Sequence, residues 1–143
     1  MRNAASNLET ISWEATWQAL RALLPNATHC TPASLRLAAE NAGMQIAMTD
    51  AKELPQAESD SSLLRKLLGD AKPDELVIVV TDCTFRQGWT PFVFRLSEVK
   101  AFAEGYRRLT DECVISGLDV VLICPESKFL ILYYHEGWIA VVR

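Results

Sequence analysis

Asp119 to Arg143 reads DVVLICPESKFLILYYHEGWIAVVR, and its punctuation decides the architecture. Three runs, Asp119 to Cys124, Lys128 to Tyr134 and Trp138 to Arg143, are separated only by the turn-like segments Pro125-Glu126-Ser127 and Glu136-Gly137. Connections this short join antiparallel neighbours, because a parallel pair needs a crossover of about a dozen residues or more. The C-terminus is therefore predicted to be three consecutive antiparallel strands.

Working upstream, Ser97 precedes Val99, Phe102, Ala103, Tyr106 and Leu109, which follow three-and-four spacing, and is read as the cap of a helix lying on the sheet with Phe102 and Tyr106 inward. Gly105 interrupts that helix and points to close backbone packing. Pro91 to Leu96 alternates, with Phe92, Phe94 and Leu96 on one side and Val93 and Arg95 on the other. Leu76 to Val80 is an unbroken β-branched run, expected of a strand covered on both faces. The connection between these two strands, Asp82 to Thr90, is long for a hairpin.

The first half reads differently. Trp13, Trp17, Leu20 and Leu24 form one face of a helix capped by Ser12 and stopped by Pro25. Thr31-Pro32 opens a second, alanine-rich helix carrying Leu35, Ala38, Ala39 and Ala42 up to Gly43. Met44 to Met48 fits a short edge strand or an extended connector. Asp50 to Asp60 contains Asp50, Glu53, Glu58 and Asp60 with Pro55 and no periodicity, and reads as a solvated loop. Ser59 or Asp60 then caps a third helix with Leu63, Leu64, Leu67 and Leu68, closed by Gly69. The expected fold class is α+β: N-terminal helices followed by a β-β-α-β-β-β unit, with a five-stranded, mainly antiparallel sheet covered by four helices.

The 143 residues, half of them apolar, suit one domain spanning 1–143. With 14 basic and 18 acidic residues the net charge is −4, which gives no reason to expect contact with nucleic-acid phosphates and favours a basic partner. Met1 to Glu9 has no apolar stretch like the core of a signal peptide, and the longest apolar runs fall short of a membrane span, so a cytoplasmic, non-membrane protein is expected. Cys30, Cys83, Cys113 and Cys124 lack CxxC spacing, arguing against a zinc or redox motif and for reduced, buried thiols. Neither GxGxxG nor GxxxxGK[ST] occurs, and no cofactor or metal is expected.

Chemistry has few candidates. His29 and Cys30 are loop neighbours that seldom aim at one atom, and His135 sits at a hairpin tip. Cys83 leaves the end of a buried strand and is the best nucleophile candidate, although nothing nearby in sequence supplies a base, and a core cysteine explains it too. Asp82, Asp119 and Glu136 are strand-end carboxylates of unknown separation. Phe85, Arg86 and Trp89 lie in one connection and either fold back on the core or meet a partner. Trp13 and Trp17 are read as core; Trp138 packs either way.

Thr81 to Tyr106, TDCTFRQGWTPFVFRLSEVKAFAEGY, followed by Leu118 to Val142, LDVVLICPESKFLILYYHEGWIAVV, resembles small bacterial immunity proteins of contact-dependent growth inhibition systems. The likeness is one of organisation, size and mild acidity over the C-terminal half. It implies a cytoplasmic protein that binds one toxin, a nuclease among the possibilities, blocks its active site and catalyses nothing. Acidic residues would steer it to a basic toxin, and the candidate contacts are Asp50, Glu53, Glu58 and Asp60, with Asp82, Trp89 and Glu136 as a second patch. An enzyme using Cys83 or the strand-end carboxylates, and a regulatory adaptor domain, are the competing readings.

Overall fold

The computed structural model describes residues 8–55 and 58–143. It is α+β, with seven strands in one antiparallel sheet and five helices among the described residues. In chain order these are β1 (Glu9–Thr10), α1 (Trp13–Leu23), α2 (Pro32–Asn41), β2 (Ile46–Asp50), α3 (Asp60–Leu67), β3 (Leu76–Thr81), α4 (Asp82–Arg86), β4 (Phe92–Arg95), α5 (Val99–Thr110), β5 (Val120–Cys124), β6 (Phe129–Tyr134) and β7 (Trp138–Val142). Across the sheet the order is β1-β4-β3-β5-β6-β7-β2.

The C-terminal meander forms as its short turns require. Val121 lies opposite Leu132 and Leu132 opposite Ala140. Lys128, read as the first residue of a strand, instead sits in the turn at φ 62°, and Gly137 at φ 102° makes the second reversal, where a side chain would be strained. Each strand's period of two then sorts its residues between two cores. Val77, Val79, Phe92, Phe94, Leu122 and Ile131 face α3 and α5, whereas Ile78, Val80, Val93, Val121, Ile123, Leu130 and Leu132 face α1 and α2. An antiparallel sheet with helices on both faces explains why Val77 to Val80 are apolar at every position, whereas Leu76, at the strand's start, is exposed.

The five-stranded expectation falls short by both edges. β1, two residues long, pairs with β4, and β2 pairs with β7 along its whole length. The helix count is also corrected, because the Asp82 to Thr90 connection contains α4: the Thr81 hydroxyl accepts from Thr84 N–H while the Thr84 hydroxyl accepts from Thr81 N–H, a reciprocal cap that winds one short helix. Ser97 does not cap α5. It lies in a 3-10 turn, Leu96–Glu98, and its hydroxyl reaches Asp74 at 3.4 Å.

The segment read as a loop is mostly structured. Asp50 ends β2, Ala51–Glu53 form a 3-10 turn, Ser59 caps α3 through Ser62 N–H, and Asp60 is the first residue of that helix. Trp13 and Trp17 pack, half-buried, against the α1/α2 core. No helix is long and apolar enough to cross a membrane among the described residues.

Candidate functional site

Antiparallel pairing fixes which strand ends lie together. Thr81 closes β3 opposite Val120 at the start of β5, Tyr134 closes β6 opposite Trp138 at the start of β7, and Trp138 lies opposite Asp50 at the end of β2. One end of the sheet therefore carries Asp50 at the end of β2 and Glu53 just after it, Asp82 after β3, Asp119 before β5 and Glu136 after β6. Glu112 joins them from the segment after α5, beside Asp82 and Asp119 in a closed crevice with Cys83. Asp60 is tied to that segment, both carboxylate oxygens accepting N–H groups, Val114 at 2.7 Å and Ile115 at 3.0 Å. The two patches read separately from sequence thus meet at one end of the molecule.

The carboxylates are not equivalent. Asp82 and Glu112 share Arg86, whose Nε donates to Asp82 Oδ2 at 2.5 Å and whose Nη2 donates to Glu112 Oε1 and Oε2 at 3.2 and 3.1 Å. These hydrogen bonds hold the guanidinium pKa above its usual value. Asp119 Oδ1 accepts both the backbone N–H and ring Nδ1–H of His135, each at 2.8 Å. Glu136 bonds the Tyr134 hydroxyl, and that bond, followed by burial and the charges of Glu136 and Asp119, raises the tyrosine pKa. Glu58 pairs with Lys66. Asp50 accepts from Lys52 N–H at 2.9 Å, while the Glu53 carboxylate is exposed and without a partner among the described residues. At the other end of the sheet the charges are mixed, with Lys72 on Glu126 at 3.1 Å and Arg143 on Asp70.

Aromatic groups border the acidic end. Trp13 stacks on Phe85 with centroids 5.5 Å apart, and Phe85 is still 50 % exposed. Trp89 is half-buried, edge-on to Phe92 at 5.9 Å, so of the residues in that connection Trp89 folds back on the core and Phe85 stays at the surface. A hollow of about 110 Å³ opens between Phe85, Pro32, Asp82 and Asp119. A second, of about 400 Å³, lies between Leu54, Glu58, Asp60, Cys113 and Tyr133.

Cys83 is 3 % exposed, and burial, opposed by the nearby charge of Arg86, pushes its thiol pKa up. Its sulfur is kept protonated, the weakly nucleophilic form. Cys30 is buried too, its thiol pushed up to about 12 by desolvation, and His29 beside it bonds the Thr28 hydroxyl at 3.1 Å. No group of three or more His, Cys, Asp or Glu side chains is placed to hold a metal ion among the described residues. Sequence reasoning missed Glu112 and the Tyr134–Glu136 bond. Glu112 follows no periodic pattern, and only its distance from Arg86 gives it a role. Compared with known proteins, the chain matches no family model, no curated protein and no solved structure.

Proposed function

We propose that this chain is an immunity protein that binds a cognate bacterial toxin domain, basic around its active site, and blocks that site without performing a reaction. The observation that carries this reading is the gathering of Asp50, Glu53, Asp82, Glu112, Asp119 and Glu136, from segments far apart in sequence, onto one end of the sheet. Carboxylates spread over one surface steer a basic partner and fix its orientation. Asp50, Glu53 and Glu136 are the exposed members, and Glu53 and Glu136, which lie off the sheet edge, form the outer contact. Phe85 and Trp13 provide the apolar anchor beside them. Asp82 and Glu112, which share the single positive charge of Arg86, contribute less charge to that surface than their number suggests.

The test takes a candidate toxin domain that is basic around its active site, with affinity measured by calorimetry over a salt series. Binding should weaken steadily as salt rises. The double variant Glu53→Lys with Glu136→Lys should lose about tenfold or more in affinity, each rim charge acting mainly on the association rate. Its circular dichroism should remain unchanged. Equal binding by the double variant, or no salt dependence, would remove the acidic end as the contact.

A further inference from the structure

We infer that the chain forms a reversible two-fold dimer by pairing β2 with β2 of a second copy, joining two seven-stranded sheets into one. Gln45 and Arg143 exchange both backbone hydrogen bonds, each 3.0 Å, and Ala51 N–H donates to Gly137 C=O at 2.8 Å. With the antiparallel register between them, these bonds place Ala47 and Thr49 in hydrogen-bonded pairs with β7. The intervening residues Ile46, Met48 and Asp50 therefore aim their N–H and C=O groups away from β7, and no described residue pairs with that edge.

Edge strands that stay single are ordinarily short, bulged, or guarded by lysine or proline. β1, at the opposite edge, is two residues long. β2 has five residues in unbroken register, IAMTD, with neither Lys nor Pro; α2 covers only its first residue, Ile46, and Ala47 to Asp50 are exposed. Met48 is 44 % exposed.

The occupant follows from the strand's symmetry. Ile46 and Asp50 are spaced equally about Met48, so an antiparallel copy centred on Met48 matches every outward residue with an outward residue and forms about six new backbone hydrogen bonds. Asp50, the strand's only charged residue, then faces the partner copy's Ile46, and the two Met48 side chains meet on the axis. A register centred on Asp50 would set two carboxylates face to face, an unfavourable pair. A five-residue edge buries an area in the weak class of interfaces, so the dimer is concentration-dependent. The two-fold also points the acidic ends in opposite directions, taking only Asp50 of each into the seam and leaving the other acids open.

Light scattering coupled to size-exclusion chromatography, from about 10 µM to about 1 mM, brackets such an affinity. The mass should climb from the 16.0 kDa of one chain towards twice that value. Met48→Pro removes only an outward N–H, which an edge strand tolerates, and should weaken dimerisation about tenfold or more with circular dichroism unchanged. Met48→Lys, which keeps the backbone donor and places two charges on the axis, should do the same if the proline variant fails to fold. A wild-type mass that stays at 16.0 kDa throughout, or a Met48→Lys protein that dimerises as well as wild type, overturns the dimer. So does a monomer whose toxin binding alone is lost in Met48→Lys, since a strand of another protein then occupies the edge.

Discussion

Glu75 has no exposed surface, yet it is a carboxylate. Its charge is accommodated by three donors: Lys72 N–H at 3.1 Å, Ser127 N–H at 2.8 Å and the Ser127 hydroxyl. Burial pushes its pKa up, but the hydrogen bonds from Ser127 and Lys72, with the charge of Lys72, outweigh that and hold it below the ordinary 4.5 of a glutamate. The turn before β3 is thereby pinned to the β5–β6 turn. Glu75→Gln should cost about 1–3 kcal/mol in urea unfolding at pH 7, the range for a charged group's lost hydrogen bonds. In the wild type this contribution is complete above pH 4.5 and is lost as pH falls through the lower folded-state value; the variant's stability should change less over that interval. None of this was legible in sequence, because Ser127 is 52 positions away. The cysteines were legible: Cys30, Cys83 and Cys124 are buried free thiols, although Cys113 is only half-buried.

At the scale of elements, local rules did well and pairing over long distances did not. The meander, α1 and the two-faced β3 follow from turns and periods within about ten residues, and all were readable. From sequence, β2 reads as either a strand or a connector, because its partner, β7, lies about 90 residues downstream. α4 escaped notice because five residues are too few to show a stripe; only the Thr81–Thr84 reciprocal cap marks it. Asp60 shows how a residue read as a binding acid takes up structural duty. Its two oxygens fasten the start of α3 to Val114 and Ile115, so Asp60→Ala should lower stability by about 1–3 kcal/mol. Chemical denaturation would check this, with Glu53→Ala as the contrast, since an exposed partnerless carboxylate should change stability by less than about 0.5 kcal/mol.

For the whole molecule, the sheet's order predicts its opening. β3 and β5 are flanked by strands on both sides and covered by helices on both faces. Native-state hydrogen exchange should find the slowest amides there, limited by global unfolding, and the fastest strand amides in β1 and β2. In dilute solution the outward amides of Ile46, Met48 and Asp50 should exchange nearly as fast as in an unfolded chain, and they should slow as concentration rises if copies pair. The acidic end was half legible at this scale: its residues other than Glu112 were named, but their common location depends on strand order, which no local pattern encodes.

Both border strands come from the first 50 residues, whereas the strand that receives β2 is the last of the seven to be made. On the ribosome, Ile46–Asp50 emerges about 90 residues ahead of Trp138–Val142. At roughly 5–20 residues per second it waits several seconds or more for its place. During that interval Ile46 and Met48 lie open to whatever chaperone or nascent neighbour is nearby. Slowing translation late in the message should lengthen that exposure and lower the yield of native protein.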